Sequence, residues 1–523
     1  MTHLELVAAM SRPEFYPHHP ETVVVVQTHI SFIFIAGSEV YKVKKSVDFG
    51  FLDFTTLEKR RFYCEEELRL NRRLAPEAYL GVEAITEEAP ARLALGGNGR
   101  VVEYAVRMKT LPRERMLGRL LAGGAVDPAV MDAIAEKLAD FHCRAETGGR
   151  IDEIGGPETI RRNHEENFSQ TEEYVGVTIP RSRYTFIRAY VRDFLDRQEP
   201  LFRRRVAEHR IRDCHGDLHL EHICVDNGIT IFDCIEFNER FRFGDVAAEV
   251  AFLSMDLDFN GYGVWGEAFV EAYIRHAGDP DIRLLLNFYR CYYAYVRGKV
   301  VGFRIMDQAI GEGEREGAKA TAARYLDLAY TYASRLERPA LILTAGLMGT
   351  GKSVLARGLA PRLGAAVIRT DLIRKELLAI NPDEHRHDPF GQGIYSGEIT
   401  RLTYDRVLEI AGEEIRKGRS AIIDASYKRR EERILAAERA KEWGGDFFLV
   451  ECFCPEAVVR QRLDARQAAG TDPSDGRWEI FLAQKADFDP ITELPAASHI
   501  VVDTSADPDA SLEAAVGRIR GFV

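Results

Sequence analysis

Cysteine is sparse in this chain: eight are scattered over 523 residues, too thinly for the disulfide framework of a small secreted fold. Cys452 and Cys454 stand two apart in an apolar, strand-like run, which suits one buried face of a strand better than a metal-ligand pair. A basic surplus is missing as well. Seventy Lys and Arg face 82 Asp and Glu, for a formal net charge of −12, and that balance argues against a nucleic-acid partner. No apolar run approaches the ~20 residues that a membrane span needs. The opening MTHLELVAAMSRPEF has neither the basic n-region nor the apolar h-region of a signal peptide. The expectation is a cytoplasmic protein without a membrane partner. Internal repeats and low-complexity tracts are absent too, and nothing in the pattern speaks to oligomeric state.

What is present is an ordinary globular composition, 46% hydrophobic and 29% charged. The length exceeds what one hydrophobic core supports. A seam falls near residue 336. Before it, Ala318 to Arg335 carries apolar residues at helical spacing. After it, Ala340 to Ala345 is a fully apolar run of the kind buried in parallel sheets. The expected domains are therefore 1–335 and 338–523. The first begins with strand-like runs at Thr22–Gln27, Phe32–Ala36 and Val40–Lys44, then a charged helical stretch at Leu57–Leu74, and turns mostly helical after about residue 115. A strand-rich beginning and a helix-rich remainder suggest two lobes, an α+β arrangement. The second alternates strands (340–345, 365–369, 420–424, 447–452, 499–502) with helices, the rhythm of an α/β parallel sheet covered on both faces.

Gly346-Leu-Met-Gly349-Thr350-Gly351-Lys352-Ser353 fits G-x-x-x-x-G-K-S. Its glycines let the backbone turn N–H groups toward phosphate oxygens, and the helix that follows adds its N-terminal dipole. Lys352 supplies a cation near the β- and γ-phosphates, and the Ser353 hydroxyl can ligate Mg²⁺. Thr350 sits within the cradle.

Two acids stand where strands should end: Asp371 after Ala366–Thr370, and Asp424 after Ser420–Ile423. Ligands collect beyond the carboxyl ends of strands in open α/β sheets. An Asp there can take an acceptor's hydroxyl proton or hold Mg²⁺, or it can simply cap a helix. Arg460, Arg462 and Arg466 lie in a helical stretch after the fourth strand. They could close over transferring phosphates, or form a solvated basic face.

GLMGTGKS, RTDLIRKEL, IIDASYKRREER and RQRLDAR together resemble the small P-loop kinases of the gluconate kinase, chloramphenicol phosphotransferase and zeta-toxin group. The resemblance covers roughly residues 338–523. It implies an AAA-type, ATP-binding P-loop kinase domain that moves a phosphoryl group to a small hydroxyl-bearing acceptor. Asp371 is then the base, Arg374 lies near the acceptor, Asp424 joins Ser353 at Mg²⁺, and Arg462 and Arg466 attend the transferring phosphate.

The second constellation is Cys214-His215-Gly216-Asp217-Leu218-His219-Leu220-Glu221-His222, followed by Ile231-Phe232-Asp233. One Asp in a loop, then a strand ending in another, is the arrangement of eukaryotic-like kinases: the first handles the acceptor proton and the second holds Mg²⁺. Ile223–Val225, a turn at Asn227-Gly228 and Ile229–Asp233 predict a hairpin that brings Asp233 close to Asp217. The block resembles the aminoglycoside phosphotransferase family, whose loop reads H-G-D-x-x-x-x-N. His215, Gly216 and Asp217 match, but the expected Asn, a magnesium ligand, is His222. Mg²⁺ prefers hard oxygen donors, so His222 is a poor substitute at that position. A transition-metal set of His215, His219 and His222 is the other reading of the three histidines.

Upstream, Lys42 on the strand Val40–Lys44 fits the lysine that pairs with the α/β-phosphates, with Glu67 as its carboxylate partner and Glu66 next. Exposed charges on an amphipathic helix are the plainer reading of those acids. No glycine-rich loop precedes Lys42; Thr28-His29-Ile30-Ser31 fills that turn. Val106 to Leu111 would be the hinge. Asp245, in Phe243-Gly244-Asp245-Val246, matches the family's later Asp and is expected to anchor the loop. The whole chain resembles bacterial proteins that join an aminoglycoside-phosphotransferase-like domain to a P-loop kinase. That implies an ATP- and Mg²⁺-dependent transferase acting on a sugar, aminoglycoside or similar hydroxyl compound. Two alternatives remain: a nucleotide-gated regulatory protein with a pseudokinase first domain, or a toxin-like kinase of a nucleotide sugar.

Overall fold

A computed structural model of the chain describes residues 3–90, 92–306, 310–381, 393–469, 478–505 and 507–521, with side chains of 466–469 outside that set. It divides into two compact units. The first holds Met1–Pro180 and Val191–Ala329; the second holds Tyr330–Val523 together with Arg181–Tyr190.

The first unit opens with six strands: β1 (Val23–Gln27), β2 (Ser31–Ala36), β3 (Glu39–Lys44), β4 (Tyr79–Ala89), β5 (Arg92–Leu95) and β6 (Arg100–Lys109). They form one sheet in the order β1-β2-β3-β6-β4-β5, antiparallel throughout. Alternation along β3 sorts its side chains. Tyr41 and Val43 enter an apolar cluster with Phe32, Phe34 and Ile85, and Lys42 and Lys44 take the opposite face. The helix Leu57–Asn71 is capped by Thr56, whose hydroxyl accepts from the Lys59 amide, and it buries Arg60, Cys64, Glu67 and Asn71 along one stripe. Arg60 locks it to β6 through both oxygens of Glu103, each at 2.9 Å.

The rest of this unit is helical, with two small ribbons inserted. One pairs β7 (Ile211–Asp213) with β10 (Phe243–Asp245); the other pairs β8 (Ile223–Val225) with β9 (Ile229–Ile231). The β8–β9 turn places Asn227 and Gly228 at positive φ, as a tight hairpin asks. Helix Val246–Phe259 is buried from Val246 through Leu257 and forms the unit's centre.

The second unit is a five-stranded sheet of β11 (Ala340–Ala345), β12 (Ala365–Arg369), β13 (Ser420–Asp424), β14 (Asp446–Phe453) and β15 (His499–Asp503). The order is β12-β13-β11-β14-β15 and every pair is parallel. All of β11 and β13 is buried, which explains their unbroken apolar runs. Among the described residues no helix is long and apolar enough to cross a membrane.

Candidate active sites

In the first unit, charge concentrates between β3, the helix Leu57–Asn71 and the β8–β9 hairpin. Lys42 Nζ lies 2.9 Å from Glu67 Oε1 and 2.6 Å from Asp233 Oδ1. Lys44 Nζ lies 2.7 Å from the other oxygen of Glu67 and also pairs with Glu236. Glu67 therefore bridges the two lysines that β3 presents on one face. Burial would raise its pKa, but the two ammoniums outweigh that and lower it. Glu236 goes the other way: burial raises its carboxyl despite Lys44. Glu66, the second choice from sequence, faces outward and pairs with Arg69 at 2.8 Å.

Asp233 adopts φ of 64°, a left-handed conformation uncommon for a non-glycine residue. Two side chains hold it there. The Tyr79 hydroxyl accepts from the Asp233 amide at 3.2 Å, and Asn71 Oδ1 accepts from the Cys234 amide at 2.9 Å. Burial opposes the Asp233 charge, but the Lys42 ammonium beside it holds its pKa well below the usual carboxylate range.

The loop from His215 to His222 is pinned by its histidines and by Glu249. His215 Nε2 donates to the Phe232 carbonyl at 2.9 Å, and its Nδ1 accepts from the Asp217 amide. His219 Nδ1 accepts from the Glu221 amide, which leaves its Nε2–H facing Asp217 Oδ2 at 3.5 Å. His222 Nδ1 donates to the Asp217 carbonyl at 2.8 Å, and its Nε2 faces Asp233 Oδ2 at 3.4 Å. Asp217 is brought down to about 2: burial raises it, but the hydrogen bond from His219 prevails. Glu249 accepts from the amides of both His215 and Gly216, at 2.9 and 2.7 Å, and from His142 at 2.7 Å.

One expectation is corrected here. Asp245 does not anchor the loop. It is buried against Arg205, with Oδ1 2.7 Å from Nη2, and caps the helix Val246–Phe259; Glu249, one turn further on, does the anchoring. Of the three histidines, His219 and His222 stand with Asp217 as a group close enough to hold a metal ion, while His215 turns its Nε2–H to the Phe232 carbonyl.

In the second unit, β11 runs into the Gly346–Ser353 loop, which feeds the helix Lys352–Leu363. Gly346, Gly349 and Gly351 have φ of 125°, 76° and 87°, a region where L side chains are strained. A Cβ at Gly346 would lie 2.6 Å from the Cys452 carbonyl oxygen. Lys352 Nζ donates to the Leu347 carbonyl at 2.8 Å, across the cradle, and the Thr350 hydroxyl donates to the same carbonyl at 2.7 Å. Arg462 donates to the Thr504 carbonyl at 2.6 Å, and a Cβ at Gly351 would stand 3.5 Å from its guanidinium. It thus flanks the loop, with part of its hydrogen-bonding capacity committed to the backbone. Arg460 stacks on Trp478. The side chain of Arg466 lies outside the described residues.

The two acids sit at the carboxyl edge of the sheet. Asp424 is the last, buried residue of β13, beside β11, and Arg369 approaches it to 3.8 Å. Asp371 is the second residue of the helix Thr370–Leu377; no side chain caps that helix, and the Asp371 carboxylate is half exposed. Arg374 is buried, lies 3.6 Å from Asp371, and carries the Tyr395 ring 5.0 Å from its guanidinium. Tyr395 in turn lines a cavity of about 410 Å³ with Thr400, Arg401, Tyr404, Lys428 and Glu432. Glu432 Oε2 is buried with no hydrogen-bond partner among the described residues, and burial raises that carboxyl's pKa. Ser353 and Asp424 offer the hard oxygen donors that suit Mg²⁺. The pair His222 and Asp233 does not, because one donor is an imidazole.

Glu249, Asn71, Tyr79, Glu236 and Tyr395 had no sequence signal. Each is an ordinary residue in an ordinary helix or strand until the fold places it.

Two family models match the chain. That of the phosphotransferase enzyme family covers residues 63–285, and that of an AAA domain covers residues 341–491. An uncharacterized protein of Mycobacterium tuberculosis and one of Mycobacterium bovis are each 32% identical over 476 residues, 90% of this chain and 92% of the relative. Among solved structures, a choline/ethanolamine kinase family protein from Mesorhizobium loti aligns at 13% identity over 62% of this chain and 99% of its own, with a TM-score of 0.37. A sugar kinase from Janibacter aligns at 20% identity over 35% and 95%, with a TM-score of 0.28.

Proposed function

We propose, from the premise that this chain belongs to the family of those mycobacterial proteins and carries a phosphotransferase segment followed by an AAA segment, that it transfers the γ-phosphate of ATP to a hydroxyl of a small molecule. That it is a kinase-type phosphotransferase follows from the two family matches. The donor, the acceptor and the residue roles are our reading. One observation carries it: Asp424 and Asp371 follow adjacent parallel strands, beside the strand that ends in the phosphate loop.

In the second unit the glycine loop and Lys352 hold the triphosphate. The acceptor hydroxyl, seated in the cavity next to Tyr395, attacks the γ-phosphorus. The bond from that phosphorus to the β–γ bridging oxygen breaks, ADP departs, and Asp371 takes the hydroxyl proton. Arg374 orients Asp371 and the acceptor, and Arg462 steadies charge over the phosphates. Mg²⁺, held by Ser353 and Asp424, would supply charge neutralisation on the phosphates. A cavity of about 410 Å³ suits a metabolite-sized acceptor. The first unit supplies a second nucleotide site, with Lys42 and Glu67 at the phosphates, Asp217 at the acceptor and Asp233 at the metal.

The test is a screen of hydroxylated metabolites and aminoglycosides for ATP-dependent phosphorylation, followed by Asp371→Asn on the best acceptor. The variant should bind ATP as tightly as wild type and lose at least about 100-fold in kcat, the scale of a removed general base. Transfer at the wild-type rate would exclude Asp371 as the base.

A further inference from the structure

The hydrogen bonds of the loop assign a tautomer to each of its histidines. His215 and His219 carry their proton on Nε2, because each Nδ1 accepts from a backbone amide. His222 is reversed. Its Nδ1 faces a carbonyl at 2.8 Å and must carry the proton, so its Nε2 keeps a lone pair. That nitrogen lies 3.4 Å from a carboxylate oxygen, Asp233 Oδ2. Two electron-rich atoms facing each other at this range repel unless something positive lies between them. Lys42 does not fill that role, since it sits on the other oxygen of Asp233, at 2.6 Å.

The spacing matches a shared cation. Two donors each ~2.1 Å from one tetrahedral ion are about 3.4 Å apart. The donor types discriminate among ions. Mg²⁺ demands oxygen and dehydrates reluctantly, whereas imidazole suits Mn²⁺, Co²⁺ and Zn²⁺ progressively better. His222 cannot turn Nδ1 to the ion instead without giving up the Asp217 carbonyl.

We propose that His222 Nε2 and Asp233 Oδ2 form the metal site of the first unit, and that it takes a borderline divalent cation such as Mn²⁺, Co²⁺ or Zn²⁺ in preference to Mg²⁺. The inference rests on the reading of this unit as a nucleotide site. Phosphate oxygens and water complete the coordination. The second unit, with oxygen donors only, keeps the ordinary preference for Mg²⁺. The two halves of one chain would then be served by different metals.

The test uses the full chain carrying Lys352→Ala, which silences the phosphate loop of the second unit. Mn²⁺ and Mg²⁺ are titrated calorimetrically, each alone and then with ATP, and bound Mn²⁺ without ATP is examined by pulsed electron paramagnetic resonance. Mn²⁺ should bind at least tenfold more tightly than Mg²⁺, and its spectrum should show coupling to one imidazole nitrogen. His222→Asn should remove the coupling and shrink the Mn²⁺ preference, and Asp233→Asn should weaken both metals. Equal affinity for the two metals with ATP still bound would overturn the metal proposal alone. So would nitrogen coupling that persists in His222→Asn. If neither metal nor ATP binds to the Lys352→Ala protein, the nucleotide-site reading falls and takes the proposal with it.

Discussion

At the scale of single residues, the same amino acid plays opposite parts according to what surrounds it. His222 presents a lone pair to a carboxylate, whereas His164 sits among aromatic rings. His164 is 4% exposed, its Nε2 has no hydrogen-bond partner among the described residues, and it is packed by Phe288 and Tyr292 at ring separations of 5.0 and 4.8 Å. Burial outweighs the Glu165 carboxylate and pulls its pKa down to about 3. The unfolded chain binds a proton at this histidine below about pH 6.5 and the folded chain does not, so stability falls as the pH drops from about 6.5 toward 3. At pH 5 the loss from this one group is about 2 kcal/mol. Urea denaturation at pH 7 and pH 5 should show wild type losing about that much more than His164→Phe. Equal losses in the two proteins would mean that the ring is hydrated or paired in solution.

At the scale of elements, a strand or helix does chemistry by choosing which side chains share a face. The two-residue period of β3 sends Lys42 and Lys44 to one side, and the helix Leu57–Asn71 meets them with Glu67 because residues 60, 64, 67 and 71 form its buried stripe. In the phosphate loop the controlling element is backbone. Gly346 combines φ of 125° with an approach that would put a Cβ 2.6 Å from the Cys452 carbonyl oxygen. Gly346→Ala must therefore displace either the loop or the end of β14. It should lower ATP affinity at this site more than tenfold and cost at least about 2 kcal/mol of stability, read by calorimetric ATP titration in a Lys42→Ala background and by thermal unfolding. Unchanged affinity would show that the loop tolerates a shifted backbone.

At the scale of the molecule, the proposed function gives each of the two compact units its own nucleotide site, so each should respond to nucleotide separately. A ligand at 100 times its Kd stabilises the unit that binds it by about 2.7 kcal/mol. In thermal unfolding with ATP and a suitable divalent metal, Lys352→Ala should abolish the shift of the second unit's transition and leave that of the first. Lys42→Ala should do the reverse. If either variant abolished both shifts, the chain would hold one nucleotide site and not two.

Some of this was determined by the sequence alone. The glycine-lysine-serine loop, the alternating strands and helices around it and the His-Gly-Asp block are all local patterns, because phosphate loops, hairpins and helix periods are made by neighbours in the chain. Lys42 and Glu67 were legible from the resemblance to kinases, and their ammonium and carboxylate lie 2.9 Å apart. What the chain order could not carry was decided by the tertiary structure. Glu249, not Asp245, holds the His215–Gly216 amides because helix Val246–Phe259 turns that face to the loop. Tyr79 and Asn71 fix Asp233 across more than 150 residues of sequence. The character of His222 was settled there as well: the letter alone said that an asparagine was missing, but a carbonyl on one nitrogen and a carboxylate opposite the other define what its lone pair can bind. Such choices depend on which groups meet in space at hydrogen-bond range, and only the closed fold sets those distances.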